Sequence, residues 1–207
     1  SSRMLPVLDI SDPSRLSLGN VYLKPYTTTN FGGNWKRDNK KRFSTLMVYV
    51  DGTLNTSPIS FARWYDTDGI LYSIPVNSQK PSVTASLTAN YTTPLDAKKN
   101  WSLTLNGVMA YTSSVSYQAK TTLPGLDKDT FDYSAFMADF WGNADGDRFY
   151  GGLSGFGESR TRSFNPYAGF TVKYNQDHYF ISLEANTQGR IARYSLDPSI
   201  NMNTLDT

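Results

Sequence analysis

The chain contains no cysteine and only one histidine, His178, in 207 residues. Without thiols there are no disulfide staples, no thiol nucleophile and no cysteine metal site. A single histidine excludes a histidine-based metal cluster. A Ser-His-Asp triad would have to use His178, which stands beside Asp177 in an expected tight turn and reads better as a solvated turn residue. No stretch approaches 18 consecutive apolar residues, so no transmembrane helix is expected. No charged-then-apolar leader is visible, and the start at Ser1-Ser-Arg-Met-Leu-Pro6 is what a fragment cut from a longer chain would show. Twenty basic residues against 18 acidic ones leave a net charge of +2, which gives no electrostatic footprint for nucleic acid. The apolar share is 39%, low for a globular domain, and a soluble all-β domain of this size would carry more Val, Ile and Leu.

Aromatic side chains are abundant, with 14 Tyr, 11 Phe and 4 Trp, and the polar residues are largely Ser, Thr and Asn. Two stretches organise them. In Val83-Thr-Ala-Ser-Leu-Thr-Ala-Asn-Tyr91 and Trp101-Ser-Leu-Thr-Leu-Asn-Gly-Val-Met-Ala-Tyr111, apolar residues take the odd positions and small polar ones most of the even positions. Successive strand residues point to opposite faces, so each stretch has one apolar and one polar face. A length near ten residues with rings at the ends is the layout of a strand crossing a bilayer in a barrel wall. The expected fold is all-β: an antiparallel up-and-down sheet or barrel segment of six or seven long strands, with a short helix near 132–141.

Along the chain, 1–26 reads as an irregular lead, 27–118 as strands, 119–163 as a long outer loop, 164–196 as a hairpin and 197–207 as a tail. One strand is expected from Phe43 through Val50 as far as Trp64-Tyr65, then a hairpin turn at Asp66-Thr-Asp-Gly69. Pro75 signals a bulge or an edge. Within the long loop, Tyr133, Phe136, Met137, Phe140 and Trp141 fall at helical spacing behind a capping Asp132. Short turns near 38–41, 94–99 and 175–178 fall at one end of the sheet and the long connections at the other, as in outer-membrane barrels. A soluble meander could sort its loops in the same way. Trp35, Tyr91, Trp101, Tyr111 and Tyr179 read as interfacial rings.

Sites are sparse. The aromatic-rich loop supplies the ligand-binding candidates Tyr133, Trp141, Phe149 and Tyr150, since exposed rings form stacking platforms. The alternative is that the helical rings pack on themselves. Asn143, Asp145 and Asp147 would suit a loose calcium site, although the glycine is misplaced for an EF-hand and a plain turn explains them as well. Gly151-Gly-Leu-Ser-Gly-Phe-Gly157 lacks the strand-then-helix context of a phosphate loop. The 18 acids offer no pair whose spacing marks a glycosidase, so no catalysis and no cofactor are expected. Lys36, Arg37, Lys40, Lys41 and Arg42, with Lys98 and Lys99, crowd the short turns; solvated, edge-protecting charge accounts for them with least assumed, and a phospholipid- or nucleic-acid-binding role is the alternative.

Several segments resemble one family. Gly19-Asn-Val-Tyr-Leu-Lys-Pro25 is similar to the segment preceding a wall strand in TonB-dependent outer-membrane receptors, with Val21 where the family has proline. Leu5-Pro-Val-Leu-Asp-Ile-Ser-Asp-Pro13, Ser60-Phe-Ala-Arg-Trp-Tyr-Asp-Thr-Asp-Gly69, Pro75-Val-Asn77 and Phe136-Met-Ala-Asp-Phe-Trp-Gly142 resemble the receptor-like barrels of Bacteroidetes-type bacteria. The resemblance implies part of a larger outer-membrane barrel that takes up a scarce nutrient. It also implies outer-membrane lipid around the wall, a plug domain and an energy-coupling protein as partners, and a small-molecule or oligosaccharide ligand. A soluble carbohydrate-binding or adhesion module is the competing reading. A slice of six or seven strands is also expected to self-associate through its edges or to roll into a tighter barrel.

Overall fold

The computed structural model describes residues 8–12, 14–123, 125–126, 130–141, 156–176 and 178–206, with no side-chain description for Ile10 or 139–141. Among the described residues there are eleven strands and one α-helix. The strands are β1 (Leu8–Asp12), β2 (Arg15–Leu18), β3 (Thr27–Asn39), β4 (Ser44–Thr56), β5 (Ile59–Tyr65), β6 (Leu71–Asn77), β7 (Ser82–Pro94), β8 (Trp101–Ala119), β9 (Phe156–Gln176), β10 (Tyr179–Tyr194) and β11 (Met202–Asp206). The helix α1 covers Tyr133–Trp141. The all-β expectation, with one short helix, holds.

The chain divides into two compact units. A meander unit comprises 29–54, 83–113 and 162–207, and a cored unit comprises 1–28, 55–82 and 114–161. In the meander unit the strands lie side by side in chain order, β3-β4-β7-β8-β9-β10-β11. β7 and β8 pair antiparallel from Val83↔Ser113 to Pro94↔Ser102, and β10 and β11 pair antiparallel from Gln188↔Asp206 to Ala192↔Met202. Short connections, 40–43 and 95–100, meet at one end, where Lys99 lies over the Phe43 ring and the Asn175 N–H near the end of β9 donates to the Asn100 carbonyl at 2.8 Å. Among the described residues β3 pairs with β4 alone and β11 with β10 alone, so the meander is not closed by its own edge strands.

The cored unit is built differently. β5 and β6 form a hairpin in register from Ile59↔Asn77 to Tyr65↔Leu71. Asp66 ties its turn by accepting the N–H groups of Asp68 and Ile70 at 2.9 and 2.8 Å, and Gly69 takes the left-handed φ of +80° that the turn requires. Two pairings are parallel, β2 with β6 (Arg15↔Leu71) and β5 with β8 (Ala62↔Tyr117), where an antiparallel arrangement throughout was expected. Two further departures are local. The single strand expected from Phe43 to Tyr65 is broken at Ser57-Pro58, because Ser57 sits at φ +52° and proline has no N–H for a ladder. Regular structure also extends into the lead (β1, β2), into the tail (β11), and back to Phe156 at the start of β9.

Trp64 centres the core. It stacks on Tyr72 at 5.4 Å and on Phe136 of α1 at 6.2 Å, and meets Phe156 edge-on at 6.3 Å. Leu16, Leu18, Ile74, Val76, Val115, Tyr117 and Met137 complete it. The helix starts where Asp132 accepts the N–H groups of Ser134 and Ala135, the N-cap role expected of it.

Candidate functional site

The two units treat apolar side chains in opposite ways. Every buried apolar side chain of the described residues except Ala192 belongs to the cored unit, while all but four of the large exposed ones belong to the meander unit. A soluble sheet would hide one face; this meander displays it. The register explains how. In the β7–β8 ladder odd residues oppose odd residues, so Leu87 faces Met109, Ala85 faces Tyr111 and Tyr91 faces Leu105. Leu87, Leu105 and Met109 are 39%, 43% and 54% exposed on a single apolar face, where a dry globular interior would have buried them. Ile181 and Leu183 of β10 and Phe170 of β9 are likewise exposed.

The opposite face carries most of the small polar side chains, with Val108 and Ala110 among them, and several of these bond across strands. Thr92 and Thr104 hydroxyls meet at 3.3 Å, and those of Thr112 and Ser163 at 2.6 Å. Thr53 Oγ1 donates to Asn30 Oδ1 at 2.9 Å. Asn90 stands opposite Asn106 on the same side of the β7–β8 ladder. Such rungs satisfy hydroxyls and amides across strands without any apolar packing.

The height of the apolar face matches a bilayer. Trp101 to Tyr111 is ten steps of about 3.4 Å, or ~34 Å along the strand. A barrel tilt near 40° reduces that to ~26 Å, against the roughly 25 Å apolar band of outer-membrane barrels. Rings mark the short-turn end: Trp101 packs on Tyr174 at 4.8 Å, and Trp35 and Tyr179 are exposed. Small residues keep the face flush. At Gly52 a Cβ would stand 2.0 Å from Phe31 Cζ, so the glycine admits the Phe31 ring across the strand pair.

Of the ligand-binding candidates, Tyr133 is committed locally. Its hydroxyl donates to the Gly19 carbonyl at 3.0 Å and accepts the Val21 N–H at 3.3 Å, and burial raises its pKa above the ordinary phenol value. Trp141 ends α1, but its side chain lies outside the described residues, as do Phe149, Tyr150 and the calcium candidates Asn143, Asp145 and Asp147. Phe136 and Met137 pack into the Trp64 core, which is the self-packing alternative for the helical rings. His178 is exposed in its turn. Among the described residues no three His, Asp or Glu side chains gather as metal ligands, and no helix is long and apolar enough to cross a membrane.

Sequence reasoning missed how the family-like segments meet. Asn20 donates to the Pro75 carbonyl at 2.8 Å. Asn77, also buried, accepts the Lys24 N–H at 2.8 Å and donates to the carbonyls of Lys24 and Ser57 at 2.9 and 3.1 Å. These two amides seat Gly19–Pro25 against β6 where β2 no longer pairs, since its ladder with β6 ends at Ser73. The only local signal was two asparagines among turn residues, which turns alone would explain. No curated protein and no solved structure matches the chain. The model of the outer membrane protein beta-barrel family matches residues 1–200, and the protein, whose apolar wall has a bilayer's height, belongs to that family and resides in the outer membrane.

Proposed function

We propose that this chain forms wall and outer connections of a TonB-dependent receptor-like transporter that takes up a nutrient and performs no covalent chemistry. The observation carrying this reading is the two-faced meander, with an exposed apolar band on one side and rungs of Thr, Ser and Asn on the other. A polar lumen face suits passage of a hydrated solute. The receptor type is supported by Gly19–Pro25 and Pro75–Asn77, which the fold brings into contact. The edges of β3 and β11, each paired on one side only among the described residues, suit further wall strands, and the reading assigns the lumen to a plug and the energy to a coupling protein.

The test is uptake by cells carrying the full-length protein, offered labelled iron chelates, cobalamin and oligosaccharides, with and without a protonophore. Accumulation of one class that depends on both the protein and the proton gradient is expected. Uptake indifferent to the protonophore would make the protein an ungated pore and defeat the transporter reading.

A further inference from the structure

The chain is nearly neutral as a whole, yet two of its short turns are not. Residues 36–42 and 95–99 hold seven basic side chains (Lys36, Arg37, Lys40, Lys41, Arg42, Lys98, Lys99) and two acidic ones (Asp38, Asp96). That is +7 − 2 = +5, against +2 for the whole chain, so everything else sums to −3. Both carboxylates are already engaged. Asp38 pairs with Lys36 at 3.3 Å and accepts the Thr45 hydroxyl at 2.7 Å, and Asp96 accepts the Trp101 N–H at 2.7 Å. Among the described residues, Arg37, Lys40, Lys41, Arg42 and Lys98 meet no carboxylate, and all are exposed.

The two turns are held together. Lys99 Nζ lies 3.3 Å over the Phe43 ring. Among the described residues, Phe43 and Lys99 are also two of the three non-glycine residues with left-handed φ, at +51° and +61°, a conformation unfavourable for both. Asn39 ties its turn by accepting the N–H groups of Lys41 and Arg42, and the Lys99 N–H closes the other turn on the Asp96 carbonyl. The cations therefore sit on fixed turns, one strand end away from Trp35 and Trp101, which are 51% and 42% exposed. Exposed rings mark headgroup level, and long cationic side chains beside them reach into that layer.

We infer that these two turns form a docking surface for the anionic phospholipid headgroups of the leaflet facing the periplasm. Short turns mark the periplasmic rim of such barrels. Five unneutralised cations beside an aromatic belt are complementary to a negatively charged leaflet. The inference rests on residence in the outer membrane and is independent of any transport activity.

The full-length protein in nanodiscs, probed with spin-labelled phosphatidylglycerol and phosphatidylcholine, tests it. Expected is a preference of roughly fivefold or more for the anionic probe, fading near 1 M salt, where the screening length is about 3 Å. The combined variant Arg37→Gln, Lys40→Gln, Lys41→Gln, Arg42→Gln and Lys98→Gln should abolish the preference. The milder Lys40→Gln, Lys41→Gln pair, which keeps the backbone bonds to Asn39 and the Lys99–Phe43 contact, should weaken it even where the larger variant fails to fold. Equal immobilisation of the two probes, or a preference the variants leave intact, overturns the proposal. So does loss of the preference to millimolar inorganic phosphate, which would mark the turns as a site for free anions.

Discussion

The reading of the meander stands or falls on Leu105. It lies next to the midpoint of the Trp101–Tyr111 band, faces Tyr91 across the ladder, and is 43% exposed on the apolar side. Its neighbour Asn106 points to the other face, opposite Asn90. Leu105→Arg would place a guanidinium at the depth where a lipid-facing charge costs about 2–4 kcal/mol. Asn106→Arg would place the same group one step along the strand, on the water-facing side, at a cost expected below about 1 kcal/mol. Trp101→Arg, at headgroup level, should fall near the low end of the depth scale, at about 0–1 kcal/mol. Denaturant titration of the protein folded into phospholipid vesicles, followed by tryptophan fluorescence, measures all three. The expected order is Leu105→Arg well above Trp101→Arg and Asn106→Arg. Equal costs at 105 and 106, or a larger cost at 106, would refute the assignment of faces.

In the cored unit, Trp64→Ala removes a side chain only 2% exposed together with its ring contacts to Tyr72, Phe136 and Phe156, and should cost about 3–5 kcal/mol. Limited proteolysis should then cut first within 55–82 or 114–126. Asn77→Ala orphans the N–H and carbonyl of Lys24 and the carbonyl of Ser57, for a loss of about 1–3 kcal/mol in the same assay. Tyr72 and Tyr133 should titrate late in alkali. Burial holds both phenols above 10.0, and at Tyr72 its donated bond to Asp66 reinforces this against the Leu126 N–H that it accepts. A raised phenol means the folded state keeps its protons longer. The cored unit should therefore lose stability as pH climbs above 10, while tyrosinate absorbance at 295 nm lags behind that of the exposed tyrosines. Gly52→Ala should cost about 1 kcal/mol by displacing the Phe31 ring from its rotamer, and the cost should vanish in the Phe31→Ala background.

The legible parts of the chain are those where neighbours in sequence decide the outcome. The alternation over 83–91 and 101–111, apolar at the odd positions and mostly polar at the even ones, decided which side chains share a face, and the odd-against-odd register agrees with it. Asp66 with Gly69, and Asp132 ahead of helical spacing, are likewise local signals that became a turn and a cap. The illegible parts depend on distant partners. β2 is four residues long and pairs with β6 56 positions on (Arg15↔Leu71), so nothing near Arg15 announces it. The break at Ser57-Pro58 looks like a strand continuing, because Leu54, Thr56, Ile59 and Phe61 around it all suit a strand; it is set where the Pro58 carbonyl accepts the Ser78 N–H at 2.8 Å. For the site, the faces of the wall could be read directly. The partnership of Asn20 and Asn77 could not, since a buried amide and a turn amide have the same letter.

These differences have one physical source. The cored unit satisfies its apolar side chains internally, around Trp64, and its polar backbone through buried Asn20, Asn77 and Asp66. Its stability is then a matter of packing and hydrogen bonds, largely indifferent to what lies outside. The meander unit has almost no such interior. Its backbone is satisfied by the ladders, but Leu87, Leu105, Met109, Ile181 and Leu183 are left for a solvent the chain does not itself supply. Water is a poor solvent for that face and hydrocarbon a good one, so the surroundings determine whether the meander persists. Stripping detergent from the purified protein should therefore precipitate it through the meander face while the Trp64 environment, read by near-ultraviolet circular dichroism, is retained in the soluble fragments released by protease. Retention of a monomeric, fully ordered meander in plain buffer would mean that face finds cover within the protein, and the outer-wall assignment would fail.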